Sequence, residues 1–329
     1  MAASTLRKIT YFCPPEPKPS GGINYLLRHS RLVNELSGGE VQSDIFFIGP
    51  FASPPLFSRE GLSIKTDNVF NRFTDLVVIP EVIAPTWAPL AAQQGVRYAI
   101  MVQNGYYIFN NFPPNVQVPP VYEGAVAVLS TSNLINETIA KVIPSVADKI
   151  SYVNYSIDPN IFAPSAQKSD IVSYMPRKLP YDSGLVIRHL MARNLKGFKF
   201  VQIDGLDQQG VAKLLGSSKI FMSFSNFEGF GLPPVEAAMA GNKVIGYTGQ
   251  GGREYWKQPL FEEIHAGDIM AFADAIEREV LHQIAHPDAN AEAFQQPIAD
   301  LAARYSVANE RKNLTAFVTK MAVLFAKGI

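Results

Sequence analysis

Two glutamates eight residues apart, Glu228 and Glu236, stand within the run 226–241 (NFEGFGLPPVEAAMAG). Gly229 and Gly231 between them let the backbone come close to a ligand. Pro233 and Pro234 suit a helix start, where a missing N–H costs little, and Gly241 suits its end. The spacing predicts Glu228 in a loop after a strand over 220–223, and Glu236 in the first turn of the next helix. The amides of 229–232, including those of Phe230, Gly231 and Leu232, then point out of a helix N-terminus, which attracts anions and polar oxygens. Carboxylates accept hydrogen bonds from sugar and ribose hydroxyls. Either glutamate alone has a plain explanation, Glu236 as a partner of the helix dipole and Glu228 as a solvated loop residue. The pair, set around Gly-Phe-Gly-Leu-Pro, favours a ligand site.

The elements that must position this run belong to an α/β pattern. Apolar runs at 9–12, 44–48, 76–79, 98–102 and 126–129 read as strands of a first half, with an amphipathic helix after the proline-rich loop 14–22 and another from about Asn133. The pattern breaks over 154–164 and a second series begins. Its strands are read at 171–174, 198–203, 220–223 and 243–246, with helices near 183–193, 208–216, 234–240 and 268–282 and a long final helix over 305–326. Alternation of this kind gives mainly parallel sheets. The chain is therefore read as two facing Rossmann-like domains, 1–155 and 156–304, with an interdomain cleft and the final helix, 305–329, packing back on the first domain. Ligands in such sheets sit outside the carboxyl ends of the strands.

Bulk properties narrow the class. The 329 residues carry 29 Lys and Arg against 29 Asp and Glu. That balance argues against a nucleic-acid binder, which needs a basic excess. The single cysteine, Cys13, rules out an intrachain disulfide and fits a reducing, cytoplasmic setting. No apolar run approaches the roughly 20 residues that span a bilayer, and 1–10 has no signal-peptide core. Peripheral membrane contact stays open.

The run around Glu228 and Glu236 resembles the signature of retaining glycosyltransferases of the GT-B fold, the group classified as family 4, in its EGFGLPxxEAxAxG setting. The strand and turn 201–205, the segment 243–247 followed by Gly251, Gly252 and Glu254, and the stretch 154–164 are similar to further family patterns. The resemblance is clear over about 150–270. In the first half it rests mainly on Gly21 and Gly22.

The resemblance implies a nucleoside-diphosphate sugar as donor, transfer with retention to an unknown acceptor (glycan, lipid or small molecule), and no other cofactor. It assigns Glu236 to the ribose hydroxyls and Glu228 to the transferred sugar. Backbone amides of Phe230, Gly231 and Leu232 fall to sugar and phosphate oxygens, and Gly205 to the turn under the base. Arg177, with Lys178 as second candidate, neutralises the diphosphate; neighbours on an extended segment point opposite ways, which favours Arg177. Gly21 and Gly22 bring the first domain's loop to the donor. Many relatives carry a histidine after the fourth strand, where this chain has Gln103 and Asn104. These two, with Glu81 at the end of a strand, are the acceptor-side candidates. The chain has no Asp-x-Asp, which fits catalysis without a metal.

Three other readings compete. A nicotinamide dehydrogenase would use the loop 249–252, but the third glycine of G-x-G-x-x-G falls on Glu254 and the loop comes late in the chain. A non-catalytic nucleotide- or sugar-binding protein can share the fold. Epimerases and phosphorylases share facing Rossmann domains, but epimerases lack the glutamate pair in this setting, and phosphorylases bind pyridoxal phosphate through a lysine and are much longer.

Overall fold

The computed structural model describes residues 5–15, 20–49, 60–114, 116–287 and 289–328. The N-terminal residues 1–4 and the tip of the proline-rich loop, 16–19, lie outside them. The chain divides into two compact units: Met1–Tyr155 with Ala308–Ile329, and Ser156–Val307.

The first unit runs β1 (Lys8–Cys13), α1 (Gly21–Leu36), β2 (Gln42–Phe47), β3 (Ile64–Lys65), β4 (Asp75–Pro80), α2 (Ala84–Gln93), β5 (Arg97–Val102), α3 (Val118–Glu123), β6 (Ala127–Ser130), α4 (Asn133–Val142) and β7 (Ile150–Tyr152). Its seven strands lie in the order β3-β2-β1-β4-β5-β6-β7, all pairs parallel. The central strands β4 and β5 are buried almost throughout, as parallel strands covered on both faces must be. Ser20 caps α1 and Ser132 caps α4 through their side chains.

The second unit runs β8 (Ile171–Tyr174), α5 (Pro180–Ala192), β9 (Lys199–Gln202), α6 (Gln208–Ser217), β10 (Ile220–Glu228), α7 (Leu232–Met239), β11 (Lys243–Gln250), β12 (Phe261–Glu263), α8 (Ile269–Ala285) and α9 (Ala289–Arg304). Its parallel sheet has the order β12-β11-β10-β8-β9. Phe224, Tyr247 and Phe272 pack at its centre.

The last helix, α10 (Val307–Ala326), belongs to the first unit from Ala308 onward. Leu314, Phe317, Met321 and Phe325 are its buried apolar face. Glu310, fully buried, takes a two-pronged bond from Arg28 of α1 at 3.0 and 2.8 Å. Asn313 donates to Asn154 at 2.9 Å, and Arg97 lies over the Phe325 ring at 4.4 Å.

Several boundaries depart from the sequence reading. β10 does not stop at Ser223 but continues to Glu228, because Ser223 and Ser225 are buried strand residues whose hydroxyls bond each other and the Tyr247 carbonyl. Glu228 therefore ends a strand. The edge strands β3, β7 and β12, two or three residues each, and the helices α2, α3 and α9 were not read from the pattern. In α9 only Phe294 and Leu301 are buried, and Pro297 lies inside it, so its apolar stripe is thin.

Candidate active site

In the second sheet the strand order reverses between β8 and β10. Crossovers leave to opposite sides at such a point and open a crevice beyond the carboxyl ends. Here Met175, Arg177 and Lys178 follow β8, Ser225 and Glu228 end β10, and Pro233 and Pro234 begin α7; together they line one depression. The Lys178 ammonium pairs with the Glu228 carboxylate. The segment after β8 is a turn, closed by Leu179 N donating to the Pro176 carbonyl, not an extended strand. That turn corrects the expectation that Arg177 and Lys178 face opposite ways: both line the depression.

The loop from Glu228 to α7 is held from below. Gly231 sits at φ 86° as the α7 N-cap, a left-handed conformation that favours glycine. The Tyr255 hydroxyl donates to the carbonyls of Phe230 (3.1 Å) and Gly231 (2.7 Å). The Phe230 ring is buried against Tyr255 and Tyr305, so its side chain belongs to the scaffold. Glycines close the other side: a Cβ at Gly251 would meet the Glu228 carbonyl at 2.5 Å, and one at Gly249 the Glu228 Cγ at 2.8 Å. Glu254 accepts from the Tyr305 hydroxyl at 2.9 Å and pairs with Arg304 at 3.6 Å. Tyr255 and Tyr305 were not singled out in the sequence; the only signal was Tyr255 directly following Glu254.

This arrangement gives a first prediction. A Cβ at Gly231 would lie 2.9 Å from the Tyr255 hydroxyl and in a strained φ. Gly231→Ala is expected to lower stability by about 2–4 kcal/mol, the left-handed penalty plus displaced hydrogen bonds. Urea unfolding of the purified variant measures it.

Glu236 lies in the second turn of α7, not the first, since the helix begins at Leu232. Among the described residues no protein group hydrogen-bonds its carboxylate, and burial raises its pKa to about 7. Gly205 follows β9 in an exposed left-handed turn (φ 65°) with nothing within 4 Å of its would-be side chain, and it does not line the depression.

The first unit gathers the other candidates at its own reversal, between β1 and β4. Gly21 and Gly22 open α1. Gln103 Nε2 donates to the Gly22 carbonyl at 3.2 Å, and the Tyr155 hydroxyl donates to Gln103 Oε1 at 3.3 Å. Space above Gly22 is filled by that Gln103 side chain, 2.6 Å from an added Cβ. Glu81 is buried and accepts the amides of Gln103 (3.2 Å) and Asn104 (2.9 Å). Burial raises its pKa to about 7 in spite of those bonds. Asn104 caps the short helical turn 105–109 through its side chain. Glu81 thus grips the exit of β5.

Among the described residues no cluster of His, Cys, Asp and Glu is arranged to hold a metal ion, and no helix is long and apolar enough to cross a membrane.

Two Rossmann-like units with fully parallel sheets, one carrying the Glu228–Glu236 segment at its switch point, make a GT-B-like fold, and the chain is similar to glycosyltransferases of that fold. The chain is 24% identical over 263 residues to an alpha-1,6-glucosyltransferase of Actinobacillus pleuropneumoniae serotype 7 (strain AP76), covering 73% of this chain and 72% of that protein. Its fold is similar to sucrose-phosphate synthase from Thermosynechococcus elongatus (TM-score 0.70, 13% identity, 96% of this chain and 99% of that one). It is equally similar to HepE from Anabaena in complex with UDP and glucose (TM-score 0.70, 11% identity, 95% and 99%). No family model matches the chain.

Proposed function

We propose that the protein transfers a sugar from a nucleoside-diphosphate sugar to an acceptor hydroxyl, with retention of configuration and without a metal ion. The observation that carries this reading is the meeting of two cations and a carboxylate at one strand-order reversal. Arg177, Lys178 and Glu228 line one depression there, and Glu236, a desolvated carboxylate with no hydrogen-bond partner among the described residues, lies eight residues on in the same segment.

In this reading the second unit binds the donor. Glu236 accepts the ribose hydroxyls, and the amides of Phe230, Gly231 and Leu232 face sugar and phosphate oxygens at the α7 N-terminus. Arg177 and Lys178 offset the charge that builds on the diphosphate as the sugar–phosphate bond breaks. Fixed positive charge aimed at a leaving group needs no reorganisation during the reaction. Lys178 bridges Glu228 to the phosphates, so the carboxylate is held toward the sugar. The new bond forms from the acceptor oxygen to the anomeric carbon on the face the phosphate leaves, and the acceptor proton passes to the departing phosphate. In the first unit Gly21 and Gly22 serve the donor, and Glu81, Gln103 and Asn104 serve the acceptor. We place the reaction in the cytoplasm. HepE is bound to UDP and glucose, and the Actinobacillus protein is a glucosyltransferase, so UDP-glucose is the first donor to test.

Titration calorimetry of Arg177→Ala tests the assignment. Removing a charge-assisted bond to phosphate is expected to weaken a nucleoside diphosphate by about 1.5–3 kcal/mol, roughly 10- to 100-fold, while leaving the nucleoside unchanged. Equal losses for both would remove Arg177 from the phosphates.

A further inference from the structure

A second pocket opens beyond the carboxyl ends of β10, β11 and β12, on the far side of Glu228 from Arg177. Asn226, Phe227, Gln250, Arg253, Glu263 and His265 line it. Four non-glycine residues among those described have positive φ: Asn111, Asn194, Phe227 and Gln250. Two are asparagines, which tolerate this conformation. The other two, Phe227 (φ 48°) and Gln250 (φ 68°), both belong to this pocket: Phe227 lies in the β-bulge just before Glu228 of β10, and Gln250 of β11 is the register partner of Glu228. Folding ordinarily buries phenylalanine and keeps it out of left-handed backbone. Phe227 breaks both rules at once, with its side chain 53% exposed. Strain that persists at one spot, on two neighbouring strands, points to a use for the side chains it aims.

The chemistry around the ring narrows the ligand. Arg253 and Glu263 bring one charge of each sign to the lining. Asn226 and Gln250 each offer donors and an acceptor. A phosphate would meet Glu263, and an apolar ligand would leave these groups unmatched. Hydroxyls, each both donor and acceptor, match them, and an exposed aromatic face matches the C–H face of a pyranose.

We propose that this pocket is a subsite for one neutral pyranose unit of a glycan acceptor. The proposal rests on the glycosyltransferase reading for its place in the reaction, but its binding test does not.

The test uses saturation-transfer NMR on the full chain with isomaltose, maltose and cellobiose as probes, for wild type and Phe227→Gly. Glycine relieves the φ strain, so the variant keeps its fold, which circular dichroism checks; Arg253→Ala is the second variant. At least one disaccharide is expected to receive saturation on its ring protons. Its affinity falls about tenfold in each variant, the size of one lost aromatic or polar contact. UDP and UDP-glucose bind both variants as they bind wild type. No transfer to any probe, or undiminished affinity in folded Phe227→Gly, overturns the subsite. Weakened UDP-glucose with no disaccharide bound makes the pocket part of the donor seat and also overturns it. A protein that binds the disaccharide but no nucleotide would sink the transferase reading and leave the sugar site standing.

Discussion

Glu236→Gln is expected to give a protein that is more stable and binds its donor less well. The folded state raises the Glu236 carboxyl from 4.5 to about 7 by burial. A carboxyl raised in the folded state holds its proton more tightly there than in the unfolded chain. Stability is then full below about pH 4.5, falls as pH rises toward 7, and levels off above it. The cost at pH 8 is about 3 kcal/mol at most, and glutamine, which has no charge to desolvate, removes it. Glu81 has a similarly raised pKa, so wild type loses stability over this range from two sites, and the difference between variant and wild type isolates one. Urea midpoints at pH 5 and pH 8 should converge at the lower pH and separate at the higher, with the variant above. Affinity for the nucleoside should fall about 10- to 100-fold, the loss of a charged acceptor shared by two hydroxyls. A variant less stable at pH 8 than wild type would mean that an internal partner, not a ligand, balances Glu236. Retaining a desolvated carboxylate at a cost to stability is what a binding role requires.

Arg28→Met should be the most damaging single change in the first unit. Glu310 is wholly buried, and Arg28 supplies its two-pronged bond from α1. Without the guanidinium the buried carboxylate loses its charged partner, at a cost of about 3–5 kcal/mol. Removing both charges in Arg28→Met/Glu310→Leu should recover much of the loss, because a packed apolar pair can replace an ion pair at little cost. Guanidinium unfolding of the two single variants and the double closes the cycle. Additive losses would mean that the pair does not couple α10 to α1.

What the sequence made legible follows from local signals. Strands buried on both faces stand out as unbroken apolar runs, so β4, β5 and β8 were read within a residue of their observed ends. The Glu228–Glu236 run was visible because glycine and proline are scarce choices with definite backbone meaning. The neighbours that hold it were not visible. Tyr255 and Tyr305 act from 24 and 74 residues beyond Gly231, and no spacing rule links them to it. The Arg177–Lys178 pair was misread because two adjacent cations were assumed to lie on a strand, whereas the chain turns at Pro176. The polar residue Ser225 hid the second half of β10, since the pairing of that half lies with β11 and not in the local pattern. The link between Gln103 and Gly22, 81 positions apart, is likewise tertiary.

The most direct test of the central claim is turnover of nucleoside-diphosphate sugars, UDP-glucose first, with a chelator present and a panel of oligosaccharide acceptors, following nucleotide release and the anomeric form of the product. The account predicts release of nucleoside diphosphate from one donor class, retention at the anomeric carbon, and turnover cut about 100-fold or more in Glu228→Ala, with nucleotide affinity nearly intact. A protein that binds the nucleotide sugar but never cleaves it, or cleaves it as fast without Glu228 and Arg177, would contradict the account.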